Sequence, residues 1–270
     1  MLHMIELDRQ LEPLHPGKRR YAYSMRALGK AGLPETFKLS NNRYELQRAI
    51  KHDFYAATGI YFDGDGRKVV LKVGRLIPFC GIPMSWIGRM LCARELRFYT
   101  ALEDLPNIPA VLGRVGRTGF VHDYINGSPL SKAQAIPNGF FDDLTQLMSE
   151  LHRRDIAYVD TNKPENILLG DDGIPYLIDF QICYDLRTFG DHFAGRWLLS
   201  RAKREDCYHL LKHKRRFRPD ELTSDELERS KRVSRLIRVH RFVTKPYFVI
   251  RRALFRKLRE SGRLLPEGSK

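Results

Sequence analysis

The sequence is short of cysteine: Cys80, Cys92, Cys183 and Cys207 are the only 4 in 270 residues, and no two form a Cys-x-x-Cys pair. That scarcity excludes a disulfide-stapled mini-protein, makes a zinc site a poor reading, and fits free thiols packed as small apolar groups in a reducing compartment. Long apolar runs are also missing. The longest uncharged run, Leu76 to Gly88, is broken by Pro78 and Pro83, and Glu6 and Asp8 fall where a secretory signal needs unbroken apolar sequence. The expectation is a soluble or peripheral chain. No internal repeat or low-complexity tract is present. Acid is scarce in one region: residues 201–270 hold 22 Lys and Arg against 9 Asp and Glu, so they carry +13 of the net +15. What the sequence does have is core material, 43% apolar and 11% aromatic, enough for one large domain or two small lobes.

Residues 1–42 read as a leader with a basic cluster, Lys18-Arg19-Arg20, and the turn signals Pro16-Gly17 and Gly32-Leu33-Pro34. From Arg43 the pattern changes. Tyr44 to Ile50, Ala56 to Phe62 and Lys68 to Val73 read as strands, the last two joined by the hairpin turn Asp63-Gly64-Asp65-Gly66. Ser85 to Leu102 has helical spacing, with Trp86, Met90, Leu91, Leu96, Phe98 and Tyr99 toward one side. Strands follow around Val111 to Val115 and Phe120 to Ile125, then a connector at Asn126-Gly127-Ser128-Pro129 and a helix from Phe140 to Arg154. Ile167 to Leu169 and Tyr176 to Ile178 flank a second hairpin turn, Gly170-Asp171-Asp172-Gly173.

The chemistry-bearing residues cluster in Tyr158-Val159-Asp160-Thr161-Asn162-Lys163-Pro164-Glu165-Asn166 and in Ile178-Asp179-Phe180-Gln181. Oxygen donors at two strand ends can hold a hard divalent cation on phosphates, and a separate carboxylate can receive a hydroxyl. Lys72 lies in a strand upstream, and Glu95 in the following helix. Taken singly, Lys72 could be an ordinary edge-strand lysine, Glu95 a solvated helix charge and Asp179 a strand-end turn. Their order and spacing, however, resemble the protein-kinase-like superfamily. The resemblance covers roughly residues 43–200 and implies ATP and Mg2+ as cofactors. By position it makes Asp160 the base or orienter of the attacking hydroxyl, Lys163 the catalytic-loop lysine, and Asn166 and Asp179 the metal ligands. Lys72 would contact the nucleotide phosphates, Glu95 would orient Lys72, and backbone near Asp123 and Ile125 would meet adenine.

The departures are specific. No G-x-G-x-x-G precedes Lys72; Lys51 to Gly59 stand there, where Ala56, Ala57 and Gly59 could admit phosphate and Lys51 or His52 could add charge, or all could simply enter a core. Tyr158-Val159 replace the family's His-Arg, which removes the arginine for an activation-loop phosphate. The interval from Asp160 to Asn166 is one residue longer than usual, and Gln181 stands at a position usually held by Gly. His152-Arg153-Arg154-Asp155 imitates the motif but reads as a helix end. No Ala-Pro-Glu follows Phe180, which leaves little room for a peptide-docking subdomain.

Residues 229–263 contain 13 Lys or Arg and a single acid, Glu260. Thr223-Ser224-Asp225-Glu226 reads as a capping box opening a basic amphipathic helix, and Thr244-Lys245-Pro246 restarts a second. Such a tail suits an anionic membrane, RNA, or docking onto the folded core. Residues 210–218 add a second basic patch. The fold expected is α+β and bilobal: a leader (1–42), an N-lobe of antiparallel sheet plus helix (43–125), a mainly helical C-lobe (126–222) and the basic tail (223–270). The compact core and cationic tail most resemble bacterial lipopolysaccharide-core sugar kinases, related to Rio-type kinases. That resemblance implies transfer of the ATP γ-phosphate to a hydroxyl of an anionic envelope glycolipid or its sugar, by a cytoplasmic enzyme peripheral at the inner membrane. A Rio-like Ser/Thr protein kinase and a pseudokinase binding membrane or RNA are the alternatives.

Overall fold

The computed structural model describes residues 23–79, 81–130 and 135–231, so Cys80 and the tail beyond residue 231 lie outside the described residues. Chain contacts divide these into two compact units, residues 23–94 with 111–124, and residues 95–110 with 125–231.

The first unit is a six-stranded antiparallel sheet of β1 (Thr36–Leu39), β2 (Asn42–His52), β3 (Ala56–Asp63), β4 (Lys68–Gly74), β5 (Val111–Val115) and β6 (Gly119–Asp123), in the order β1-β2-β3-β4-β6-β5. The period-two alternation of β4 puts Val69, Leu71 and Val73 on one face, where they pack with Tyr44, Tyr61 and Val121. Ala27, Leu28, Leu33 and Phe37 complete the same core. Residues 23–42 are therefore not part of a leader but a wall of the sheet's core. Their strand has only 4 residues, too few to announce itself by alternation. The expected hairpin at Asp63 forms as an Asx turn: the Asp63 Oδ1 accepts from the amides of Asp65 (3.1 Å) and Arg67 (2.9 Å).

Helix α1 (Ser85–Ala101) starts against the end of β4, where two glycines let backbones meet; a Cβ at Gly88 would lie 2.2 Å from the Arg75 carbonyl oxygen. Its buried face is the expected one only in part. Trp86 and Met90 are exposed, whereas Cys92, Glu95, Phe98 and Tyr99 are buried. A carboxylate thus sits on the inward stripe, which a purely apolar reading of the period cannot anticipate.

The second unit holds β7 (Gly127–Pro129), α2 (Phe140–Arg153), β8 (Ile156–Ala157), β9 (Ile167–Gly170), β10 (Pro175–Leu177), β11 (Tyr184–Asp185), α3 (Leu186–Phe189), α4 (Phe193–Phe217) and α5 (Ser224–Lys231). Helix α2 buries Phe140, Phe141, Leu144, Leu147, Met148 and Leu151, the helical stripe read from sequence. The 25-residue α4, absent from the sequence reading, runs through the basic stretch read there as a patch. The capping box at α5 is formed: Thr223 Oγ1 accepts from the Glu226 amide (3.2 Å), and Glu226 Oε2 accepts from the Thr223 amide (2.9 Å). Buried Lys214 of α4 reaches Asp142 of α2 and Glu226 of α5, each at 3.2 Å, so the start of the expected tail packs into this unit. The restarted helix after Thr244 and most of residues 229–263 lie outside the described residues. Among the described residues no helix is long and apolar enough to cross a membrane.

Candidate active site

In the first unit Lys72 is not on an edge. Its strand lies between β3 and β6, with Thr58 and Phe120 as its register partners, and its side chain leaves the face opposite the apolar core. Upstream, the turn between β2 and β3 is closed by a carboxylate instead of glycines. Asp53 Oδ1 accepts from the amides of Tyr55 (2.8 Å) and Ala56 (2.9 Å), while Oδ2 pairs with Lys51 (2.8 Å). Burial opposes the Asp53 charge, but Lys51 and the two amides outweigh it and hold the carboxyl below its usual range. The Ala56 amide and Lys51, two of the groups expected to meet phosphate, are thus committed within the turn. His52 adds no charge either. Its Nε2 accepts from the Leu28 amide (3.1 Å), and burial, with Arg26 nearby, lowers it to about 4. Asp123 ends β6 with its carboxylate on Arg67 at 2.8 Å and its carbonyl facing His122 Nδ1 at 2.8 Å.

In the second unit, the catalytic-loop candidates converge on one atom. Asp160 Oδ2 accepts from Lys163 Nζ at 2.6 Å and from Asn166 Nδ2 at 2.8 Å, although Asp160 is only 6% exposed. Two short 3-10 turns, Asp160–Asn162 and Pro164–Asn166, curl the chain so that residues three and six apart meet there. The extra residue in the interval is absorbed by the turns. Asn166 spends its amide nitrogen on Asp160, which leaves its Oδ1 as an acceptor.

Asp179 arrives beside Asn166 through the β9–β10 hairpin. Ile167 opposes Leu177, and the Ile178 amide donates to the Asn166 carbonyl at 3.1 Å, so the two expected metal ligands sit at the same end of that hairpin. Asp179 has φ of 65°, a left-handed conformation that Asp tolerates better than most residues. Its amide lies 3.4 Å from the Tyr99 hydroxyl. Phe180, fully buried, packs edge-on against Tyr99 (4.8 Å) and Tyr158 (5.4 Å), fixing the chain after Asp179. Glu95, 1% exposed, is no solvated helix charge. Burial first, then the charges of Glu95 and Asp179, push the Tyr99 phenol well above its ordinary value. Ile125 opens this unit just after β6.

Sequence reasoning missed the residue that organises the loop. Asp206 of α4 is fully buried and collects four donors: the amides of Tyr158 (2.8 Å) and Val159 (2.9 Å), Thr161 Oγ1 (2.5 Å) and His152 Nε2 (3.2 Å). Val159 is β-branched yet has φ of 68°, a strained conformation that the carboxylate over-determines. Burial works against a charged His152, but Asp206 and the neighbouring Cys207 outweigh it and raise the imidazole to about 9. Two turns further along α4, buried His213 Nε2 meets the Thr161 carbonyl at 2.8 Å. Burial, then Lys212, lowers His213, so its neutral ring donates through Nε2. The only signal for Asp206 in the sequence is an acid within a basic helix. His152 to Asp155 lie at the end of α2, as read.

No group of three or more His, Cys, Asp or Glu among the described residues makes a metal cage. A carboxylate and an amide oxygen at one hairpin end nevertheless fit magnesium, which takes hard oxygen donors and completes its shell with water and substrate phosphate.

Together, the antiparallel sheet bearing Lys72, the helix bearing Glu95 and the helical unit with its Asp160 loop and Asp179 hairpin make this a protein-kinase-like fold of atypical kind. No protein-family model and no curated protein matches the chain. Among solved structures it is similar to the Rio2 kinase from Chaetomium thermophilum in an ADP/Mg2+-phosphoaspartate complex, with TM-score 0.51 and 20% identity over 70% of this chain. A second structure of that kinase gives TM-score 0.50 and 20% identity over 70% of this chain. The chain spans 61% and 62% of those two structures, less than two thirds of either.

Proposed function

We propose that the protein is an ATP-dependent phosphotransferase that moves the γ-phosphate of ATP to a hydroxyl group. The observation that carries this reading is the convergence of Lys163 and Asn166 on Asp160 Oδ2, with Asp179 delivered to the same hairpin end as Asn166. Because Oδ2 already accepts two bonds, Oδ1 is the oxygen offered to an incoming hydroxyl. The acceptor oxygen attacks the γ-phosphorus, the bond to the β-phosphate oxygen breaks, ADP leaves, and the hydroxyl proton passes to the Asp160 carboxylate. Lys163 keeps that carboxylate oriented and places a cation beside the transferring group. Lys72 would bind the nucleotide phosphates and Glu95 would orient it. Asn166 and Asp179 would hold magnesium, which when bound neutralises phosphate charge.

For the acceptor, the cationic sequence supports a sugar hydroxyl on an anionic envelope glycolipid. A protein hydroxyl is the second reading, and the likeness to Rio2 kinase favours it at least as well. The test is transfer of labelled γ-phosphate to lipopolysaccharide, to a basic model protein and to no acceptor, by wild type and Asp160→Asn. Label in one acceptor, reduced about 1,000-fold or more in Asp160→Asn, supports the reading and names the acceptor class. No label in any lane, with ATP bound, overturns it in favour of a pseudokinase.

A further inference from the structure

Helix α4 begins with two aromatic side chains that a folded core has no use for. Phe193 is 86% exposed and Trp197 is 51% exposed. They are four residues apart, so they stand side by side on one face. Along the flank of the same helix runs a cleft of about 400 Å³ with Arg196, Lys203 and Arg204 on one wall and His152 on another. Three acids accompany them, and each is matched by a cation: Asp155 lies 2.7 Å from Lys203, Asp191 lies 2.5 Å from Arg196, and buried Asp206 lies 3.2 Å from His152. With those pairs matched, Arg204 leaves the cleft with a net positive charge, and the two aromatic anchors stand beside it.

We propose that this face of α4 docks on an anionic phospholipid surface, with the cleft taking a lipid phosphate and Phe193 and Trp197 entering the interfacial layer. Aromatic side chains beside a basic flank suit that layer, where apolar burial and attraction to anionic headgroups add. A second copy of the chain fits the face poorly, because a two-fold contact would set the two cationic clefts against each other. A nucleic-acid strand asks for an extended groove, whereas this cleft has the size of one headgroup. The inference stands apart from phosphotransfer: it concerns a face whose binding needs neither nucleotide nor turnover. It also differs from membrane binding by residues 229–263, which the same experiment separates.

The chain has 2 tryptophans, so the exposed-site change Trp86→Phe leaves Trp197 as the sole reporter. The full-length Trp86→Phe protein is mixed with vesicles of phosphatidylglycerol in phosphatidylcholine, or of phosphatidylcholine alone, with and without brominated acyl chains, at low and high salt. The expected result is a blue-shifted Trp197 emission quenched by brominated lipid only in the anionic vesicles, weakened by salt. Arg204→Glu should lower vesicle affinity about tenfold, since it reverses a charge at the surface. Phe193→Ser, at an exposed position that leaves the fold intact, should reduce the quenching. Vesicle binding without Trp197 quenching would overturn the proposal and assign the contact to another part of the chain. So would failure to bind anionic vesicles, burial of Trp197 by self-association without lipid, or protection of Trp197 by RNA but not by lipid.

Discussion

Two loops in this protein are shaped by a carboxylate that collects backbone amides, and they differ in where the carboxylate comes from. Asp53 closes its own turn, taking amides two and three residues ahead and sharing its charge with exposed Lys51. Asp206 reaches the Tyr158–Thr161 segment from 45 to 48 residues away, is fully buried, and holds a valine where valine does not sit unaided. The first device is local and makes a tight turn that spends amides a phosphate would want. The second depends on the whole helical unit being folded, and it fixes the catalytic loop in a conformation its own residues disfavour. Under the proposed phosphotransfer, the nucleotide side would be economical in phosphate contacts and the acceptor side heavily braced.

The largest effect should follow from cutting the distant brace. Asp206→Ala leaves two amides, a hydroxyl and a buried imidazolium unpartnered, a loss of about 3–5 kcal/mol in denaturant unfolding, with phosphotransfer abolished while Asp160 is intact. A loss no larger than that at Asp53 would erase the contrast between the loops.

The two units should also respond to pH in opposite directions. His152 has a folded value near 9, above its ordinary 6.5, so its contribution is complete below pH 6.5 and is lost as pH rises through 9. His52, lowered to about 4, contributes fully above pH 6.5 and its contribution is lost as pH falls through 4. Each contribution is on the order of 2 kcal/mol after screening by solvent. Amide exchange resolved by unit, across this pH range, checks it; His152→Gln should flatten the alkaline limb and His52→Gln the acid limb. A single shared slope would contradict the assignment.

Val159→Gly should sharpen the strain argument. Relief of a left-handed valine exceeds the entropy glycine adds, for a net gain of about 1 kcal/mol in thermal unfolding. Destabilisation would mean that the side chain contributes more than its backbone costs. The smallest effect is expected at the local device. Asp53→Ala removes two amide bonds at a half-buried site, costing about 1 kcal/mol, and raises nucleotide affinity because a negative charge leaves the turn.

How legible each part was in the sequence follows the same division. Both hairpin turns, the α2 stripe and the capping box at Thr223 are written in residues within four positions of one another, and each formed as read. Asp160, Lys163 and Asn166 were singled out by their resemblance to a family motif, and the structure brings their side chains together. Asp206 was not, since a buried acid on a basic helix looks like a surface charge until the helix is placed. The wall formed by Ala27, Leu28 and Phe37 was hidden for a related reason: a short strand gains its meaning from β2 beside it. The buried face of α1 was read in part: Phe98 and Tyr99 are buried as expected, but Trp86 and Met90 are exposed, and apolar periodicity does not register a buried carboxylate such as Glu95.

The measurement that bears most directly on the account is calorimetric titration of ATP, with and without magnesium, into wild type and Asp179→Asn. Asn tolerates the left-handed backbone at this position, so the fold should be kept and the thermal midpoint unchanged. The expected result is magnesium-dependent ATP binding by wild type that disappears in Asp179→Asn. Equal, magnesium-dependent binding by both proteins would contradict the assignment of Asn166 and Asp179 as the metal-holding pair.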